Sequence, residues 1–307
     1  MIKIISAGLL STVQDLGRFG VMKDGFTQSG AMDSYSMQIA NRLCANEPNA
    51  PVIEMTMLGI TARFMSERVF AVSGGQFEMT LNNEPIRTNK AYIAGQGDVL
   101  AIKGSKSGMR CYLAVNGGFD VPLFMGSAST NLKLGVGGFE GRKLKPNDEI
   151  KIKKAPMIDV TDREIDEFTY DDVVRVRVVL GPQDDMFTKT DLAFFTQQRY
   201  TVTPNLDRMG IRLNGIALRG KDTLDIISDG IVFGSVQITK SGMPIILMAD
   251  HQTTGGYAKI ATVISADLPK LAQLKPYNKV CFDVVDVKKA QDLAIKQKKY
   301  ISNLFKR

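Results

Sequence analysis

The sequence is poor in the side chains that most often carry chemistry, with one histidine and three cysteines in 307 residues. Each scarcity excludes something. With His251 alone and Cys44, Cys111 and Cys281 far apart, no His/Cys zinc site can be assembled, and no metal is expected. A Ser-His-Asp triad would have to be built on His251, and no GxSxG elbow accompanies it. No GxxxxGK[ST] occurs, which excludes a Walker-type phosphate cradle in this chain. The cysteines are odd in number and form no CxxC pair, which predicts free thiols, a reducing compartment and a cytoplasmic protein. Apolar runs such as Pro244–Ala249 are far too short to cross a bilayer, so no membrane partner is expected. The start, "MIKIISAGLL", reads as a first strand and not as an export signal.

The net charge of +7 is also unevenly spread. Between Asp286 and Arg307 seven lysines and arginines face two aspartates, so +5 of the excess sits in the last 22 residues. The rest is nearly balanced, and no basic groove interleaved with aromatics is visible, so nucleic acid is not an expected partner.

What is abundant is glycine-punctuated, short apolar sequence. "RVFAVSGGQFEMTLNNEPI" predicts a hairpin turning at Asn82-Asn83. "MRCYLAVNGGFDVP", "VVRVRVVLGPQ" and "GIVFGSVQITKSGMPIILMAD" predict further strands. Helical spacing appears in "MDSYSMQIANRLCAN" after Asp33 as N-cap, in "DMFTKTDLAFF", and in a basic helix after Asp286. The expected fold is therefore mainly β with a few helices, in two barrel-like lobes. The polar stretch Ile152–Asp172 is the expected linker between them. This gives an N-terminal β-rich lobe over 1–155, a C-terminal barrel lobe over 170–285 and a basic helix over 286–307. "LKPNDEI" and "LKPYNKV", each near the end of its half, echo one another.

Four polar, glycine-rich segments are the candidates for chemistry. The first, Ser11–Asp33, offers Gln14, Asp15, Arg18, Ser29 and Asp33. An arginine fork there suits a carboxylate or phosphate; the alternative is a turn network in which Asp15 pairs with Arg18 and Asp33 caps a helix. The second, Val115–Asp148, places Ser127, Ser129 and Thr130 after Gly126, either as a nest of backbone amides for an anion or as a surface loop. The third, Asn205–Gly215, carries Asp207-Arg208, either functional or a structural ion pair; the preceding Asp184 and Asp185 read as helix caps. The fourth, "ADHQTTGGYAKIATV", follows the strand "PIILMA". Asp250 is its candidate general base or water holder, with Gln252 and Thr253 exchanging hydrogen bonds; the alternative is a turn with local side-chain bonds.

These segments, in this order, resemble one family along nearly the whole chain. The resemblance rests on "VQDLGRFG", "SGAMD", "VNGGFDVP", "GSASTN", "GGFEGRKLKPND", "DRMGIRL", "SDGIVFGSVQ" and "ADHQTTGGYAKIATVISADL". The family is that of the C-type 5-oxoprolinase subunit (PxpC, or KipA), also described as allophanate hydrolase subunit 2 and as a biotin-dependent carboxyltransferase. It implies a cyclophilin-like fold and partnership with a PxpB/KipI-like and a PxpA-like subunit. The joint activity implied is the ATP-dependent opening of 5-oxo-L-proline to L-glutamate. Two other roles are implied by relatives: carboxyl transfer from carboxybiotin to urea, in which biotin would be the cofactor, and binding of a KipI-like histidine-kinase inhibitor. On this resemblance Asp250, Gln252 and Arg208 are the expected catalytic residues. Gln14, Asp15, Arg18, Ser29 and Asp33 are expected to bind substrate, with Ser127, Ser129, Thr130 and Gln237. Thr253, Thr254, Gly255, Gly256 and Tyr257 complete the binding set. Relatives often show arginine where this chain has His251 and proline where it has Ala258, so an obligatory catalytic histidine is not expected.

Overall fold

The structure is a computed structural model that describes residues 1–305. Lys306 and Arg307, counted in the basic C-terminal helix, lie outside the described residues. The fold is mainly β with four α-helices among the described residues, in two compact units. One unit comprises Met1–Phe19, Ser29–Tyr170 and the chain from Ile301; the other comprises Gly20–Gln28 and Asp171–Tyr300. Both units are thus discontinuous in sequence.

The first unit holds β1 (Ile2–Ser6), β2 (Leu10–Gln14), α1 (Ser34–Leu43), β3 (Val52–Thr56), β4 (Thr61–Phe64), β5 (Arg68–Leu81), β6 (Glu84–Ile86), β7 (Ala91–Ala94), β8 (Val99–Val115) and β9 (Glu149–Ile150). Its strands form one antiparallel sheet curled into a half-barrel. The long β8 organises it: Val99–Ala101 pair with β4, Arg110–Leu113 with β3, and β5 runs along the other edge. The β5–β6 hairpin turns where expected. Asn82 and Asn83 both take positive φ (52° and 70°), the left-handed pair that matches strand twist. Asp33 caps α1 by accepting from the Ser36 amide at 2.8 Å. The helix then buries Met37, Ile39, Ala40 and Leu43 against Val69, Ala71, Tyr112 and Ala114.

The stretch expected as a linker is tied to this unit. Arg163 Nη1 donates to Arg42 O at 2.9 Å, Asn116 Nδ2 to Pro156 O at 2.9 Å, and Ile158, Val160, Ile165 and Phe168 pack on the α1 core. Its apolar residues are too sparsely spaced to show a period, yet these four and Ile152 pack against core clusters, while Met157 stays exposed. Weak periodicity therefore concealed an ordered strap.

The second unit holds β10 (Val173–Leu180), α2 (Lys189–Gln197), β11 (Tyr200–Leu206), β12 (Gly210–Asn214), β13 (Asp225–Gly230), β14 (Ser235–Ile238), β15 (Pro244–Leu247), β16 (Thr254–Tyr257), β17 (Lys259–Val263), α3 (Leu268–Ala272), β18 (Lys279–Val284) and most of α4 (Val287–Asn303). Seven strands close a barrel in the order β10-β17-β14-β15-β12-β11-β18, with one parallel pair, β10 beside β18. Alternate residues such as Val176, Val178, Ile211, Leu213, Val236 and Ile246 are buried, so their neighbours face outward. Phe195 from α2 stacks on Phe282 at 4.5 Å between ring centroids. Outside the barrel, β13 and β16 pair as a two-stranded ribbon. Asp184 and Asp185 do not cap a helix. They lie in a 3-10 turn (Asp184–Met186), and α2 starts instead with a reciprocal Thr188–Asp191 capping box. Asp286 does cap α4, accepting from the Lys289 amide at 2.7 Å.

Candidate functional site on the outer face of the barrel

The expected site residues fall into two groups with different chemistry. Segments one and two meet in the first unit. Asp15 is 2% exposed, and its carboxylate accepts from the Gly17 amide (2.8 Å), the Ala128 amide (2.6 Å) and the hydroxyls of Ser127 (2.6 Å) and Ser129 (2.5 Å). Ser129 Oγ in turn accepts from the Asp15 amide at 3.0 Å. Arg18 donates to Ser129 O and lies over the Phe124 ring, 5.4 Å from its centroid. Gln14 Nε2 donates to Thr130 O, and Asn131 Nδ2 to Ser29 Oγ, both at 3.1 Å. Thr130 bonds back to Val13 O through both its amide and its hydroxyl. Most polar groups of these loops hold each other; buried Gln14 Oε1 has no hydrogen-bond partner among the described residues. A cavity of about 460 Å³ touches Asp15, with Asn46, Glu47 and Lys153 along it, but the carboxylate is directed into the loops.

A second buried set lies nearby in the same unit, and sequence reasoning did not find it. Glu54 Oε2 accepts from the Met32 amide and from the Tyr112 hydroxyl, and Tyr112 Oη accepts from the Asp33 amide. Burial, then the Glu54 and Asp33 carboxylates, push the Tyr112 phenol well above its ordinary range, so it serves as a donor at any physiological pH.

Segments three and four meet in the second unit. Arg208 and Asp250, 6% and 9% exposed, form a two-pronged pair: Nε to Oδ2 at 2.8 Å and Nη2 to Oδ1 at 3.1 Å. The backbone ties the same two loops, Asp250 N to Arg208 O at 2.8 Å and Met248 N to Met209 O at 3.0 Å. The fork therefore clasps the β11–β12 turn to the loop after β15. Beside this clasp opens a cleft of about 570 Å³, a volume suited to a small molecule. Its floor is the outward row of Arg212, Ile245 and Gln237 together with Leu247, and Pro204, Asn205, Asp207, Met209, Gln252 and Tyr257 also line it. Of the expected residues, Gln237, Gln252 and Tyr257 reach the cleft; Arg208 and Asp250 stand behind it.

The barrel register explains the floor. Arg212 pairs with Ile245 and Ile245 with Gln237, while Gln237 pairs with Lys259, so one row runs outward across β12, β15, β14 and β17. Gln237 is 2% exposed and donates to Tyr257 O at 3.1 Å. Gly255 is needed for this approach, because a Cβ there would lie 2.9 Å from Gln237 Nε2 and 2.6 Å from Ile231 Cδ1. Buried Lys259 donates to Asp229, which anchors the ribbon to the barrel, and this bond holds the Asp229 carboxyl below its ordinary range. Thr254 and Gly256 lie on the ribbon, and Thr253 O accepts from the Ile231 amide at 3.0 Å.

His251 is 1% exposed. Its Nδ1 lies 2.7 Å from Gln252 O, which only accepts, so Nδ1 carries the proton. Burial depresses its pKa, against smaller opposing effects of that bond and of Asp250. The ring is a neutral brace for the backbone of Gln252. Asp207 is also occupied: Oδ1 accepts from the Met209 and Gly210 amides at 2.7 and 3.0 Å, which shapes the turn at the cleft rim. Arg212 is the cleft residue that sequence reasoning passed over. Its signal was the alternation in "GIRLN", where Ile211 and Leu213 face the core and Arg212 must face out.

A family model described as carboxyltransferase domain, subdomain A and B, matches residues 24–284. The chain belongs to this carboxyltransferase-domain family. Within the family it is 37% identical to the C-type 5-oxoprolinase subunit of Haemophilus influenzae over 99% of this chain and 97% of that protein. It is 36% identical to the C-type 5-oxoprolinase subunit of Escherichia coli, with the same coverage. It also matches the urea amidolyase of Lachancea kluyveri, at 31% identity over 95% of this chain but 18% of that much longer protein. The crystal structure of the K. lactis urea amidolyase superposes with a TM-score of 0.91 at 30% identity, covering all of this chain and 20% of that one. Carboxyltransferase-domain relatives therefore occur both as separate subunits of this length and as segments of large enzymes.

Proposed function

We propose that this chain is a subunit of an ATP-dependent 5-oxoprolinase, acting with PxpB/KipI-like and PxpA-like partners to open 5-oxo-L-proline to L-glutamate. The observation that supports this reading most is the near-complete, two-way coverage at 36–37% identity with proteins described as C-type 5-oxoprolinase subunits. The cleft suits a small amide. Gln252 is exposed at its mouth, and its carboxamide can both donate to a lactam carbonyl and accept from a lactam N–H. Gln237 offers a second, buried carboxamide held by Tyr257 O, with room left for it by Gly255. In this reading Gln237 and Gln252 orient the lactam, and Tyr257 closes the wall. The Arg208–Asp250 clasp and His251 keep Gln252 in place.

A lactam carbonyl is a poor electrophile and needs activation, for which ATP is the co-substrate of the assembly. The cleft presents one arginine, two glutamines, an asparagine, a tyrosine and an aspartate held in its own turn. These residues do not make a triphosphate cradle, and no cluster of three or more metal-ligating side chains occurs among the described residues. No step through ATP is therefore assigned to them. The first-unit loops bearing Asp15, Ser127 and Ser129 are read as scaffold.

The test is reconstitution. The chain alone is expected to leave 5-oxoproline unchanged, and co-expression with both partner types to give ATP-dependent release of glutamate. A complete assembly that forms yet leaves 5-oxoproline intact would sink the reading. The match to urea amidolyases favours one alternative, a carboxyltransferase that takes its carboxyl group from carboxybiotin. That alternative predicts carboxylation of an amide only when a biotinylated carrier is supplied.

A further inference from the structure

The cleft contains a cation that no group among the described residues neutralises. Arg212 lies on β12 with its side chain facing out of the barrel, and it is exposed. No hydrogen bond, ion pair or ring contact engages its guanidinium among the described residues. The carboxylate on the same cleft, Asp207, makes no ion pair with it and accepts from its own turn. An exposed arginine that lines a concave site together with a carboxylate, and yet does not pair with it, is placed for an external anion.

Arg212 also stands where two cavities meet. The main cleft and a smaller one of about 230 Å³ share Asn205, Arg212 and Ile245. The smaller cavity continues along the same barrel face past Asn214, Thr239 and Ser241, side chains that donate hydrogen bonds and carry no charge. In register, Arg212 and Gln237 flank Ile245 from the two neighbouring strands. Neighbouring strands are about 4.8 Å apart, so positions two strands apart lie about 10 Å apart. Two groups at that spacing can bracket a small ring bearing one carboxylate.

We propose that Arg212 is the anion anchor of this cleft and that its ligand is a small monocarboxylate. The carboxylate takes the guanidinium fork, the apolar part lies over Ile245, and an amide end reaches Gln237 and Gln252. The fork matches a carboxylate with two parallel N–H···O bonds, which a lysine cannot reproduce. The inference rests on the 5-oxoprolinase reading, and it adds the residue that would select an acid over a neutral lactam or urea.

Calorimetric titration of the full chain tests it with three probes: 5-oxo-L-proline, the carboxylate-free lactam 2-pyrrolidinone, and the lactam-free cyclopentanecarboxylate. Arg212→Gln is expected to weaken both carboxylates at least tenfold and leave 2-pyrrolidinone unchanged. Arg212→Lys should restore part of the loss, and Gln252→Ala should weaken the lactams but not cyclopentanecarboxylate. Arg212 is exposed, so unchanged melting of the variants serves as the folding control. The proposal is overturned if Arg212→Gln binds 5-oxo-L-proline as the parent does, or if the parent binds neither carboxylate. Arg212-dependent binding of cyclopentanecarboxylate without binding of 5-oxo-L-proline would uphold the anchor and reject the 5-oxoprolinase reading. Unchanged KM for 5-oxoproline in an active assembly carrying Arg212→Gln would uphold that reading and reject the anchor.

Discussion

The loops around Asp15 and the cleft around Arg212 are both polar, glycine-rich and drawn from the segments that carry the family resemblance, but they use their polar groups in opposite ways. Around Asp15 the donors and acceptors face one another: one carboxylate collects two amides and two hydroxyls while 2% exposed. Around Arg212 the clasp and the turn are satisfied and His251 is held through Nδ1, its buried Nε2 having no partner among the described residues, whereas Arg212 and Gln252 stand open. Arg212 has no partner among the described residues, and Gln252 is exposed at the mouth. A site that must receive a ligand keeps its binding groups unspent and satisfies only their supports. The difference separates resemblance-bearing residues that are spent on the fold from those left open to a ligand.

The largest effect that would sharpen this contrast is expected at Asp15. Asp15→Ala leaves two hydroxyls and two amides without their buried acceptor, so urea unfolding should show a loss of about 3–5 kcal/mol. Binding of 5-oxoproline by whatever remains folded should be unchanged. Next, Asp250→Ala strands the buried Arg208 guanidinium. A loss of about 3–4 kcal/mol in stability is expected, together with loss of turnover in the assembly because Gln252 is released. If Asp250→Ala abolished turnover with no change in unfolding midpoint, Asp250 would be acting on substrate and not as a clasp.

Gln252→Ala should separate the two regions more cleanly. Turnover should fall about 100-fold, in the range set by removal of one oriented hydrogen-bonding group, while stability moves by less than about 0.5 kcal/mol. Gly255→Ala should push Gln237 and Ile231 aside and raise KM, at a cost of about 1–3 kcal/mol from overpacking. A variant with parental KM would show that Gln237 does not touch the ligand.

The smallest effect concerns pH. The His251 pKa is lowered in the folded state, so below the ordinary value of 6.5 the unfolded chain binds the extra proton more readily. Stability should therefore decline as pH falls below about 6.5, and His251→Gln should flatten that decline in pH-dependent thermal melts. Turnover at neutral pH should be little altered by His251→Gln. A large loss there would make the ring more than a brace.

Much of this arrangement could be read from the sequence where the signal is local. The Asn82-Asn83 turn, the Asp33 and Asp286 caps and the strand pair flanking Lys240-Ser241-Gly242 all depend on neighbours within a few positions. The site was harder because its partners are distant in sequence. Ser127 and Ser129 approach Asp15 across more than a hundred residues. Arg208 was expected at the chemistry, but only the fold shows both prongs of its fork on Asp250. Arg212 was legible in principle from in–out alternation, but its meaning depends on Gln237 standing two strands away. A single sequence does not state strand order.

The central claim, that the barrel cleft and not the Asp15 loops receives the ligand, is tested most directly by the side-chain amide resonances of the labelled full chain on addition of 5-oxo-L-proline. The account predicts that Gln237 and Gln252 shift with saturation while Gln14 and Asn131 stay in place. Shifts at Gln14 and Asn131 with Gln237 and Gln252 unmoved would contradict it.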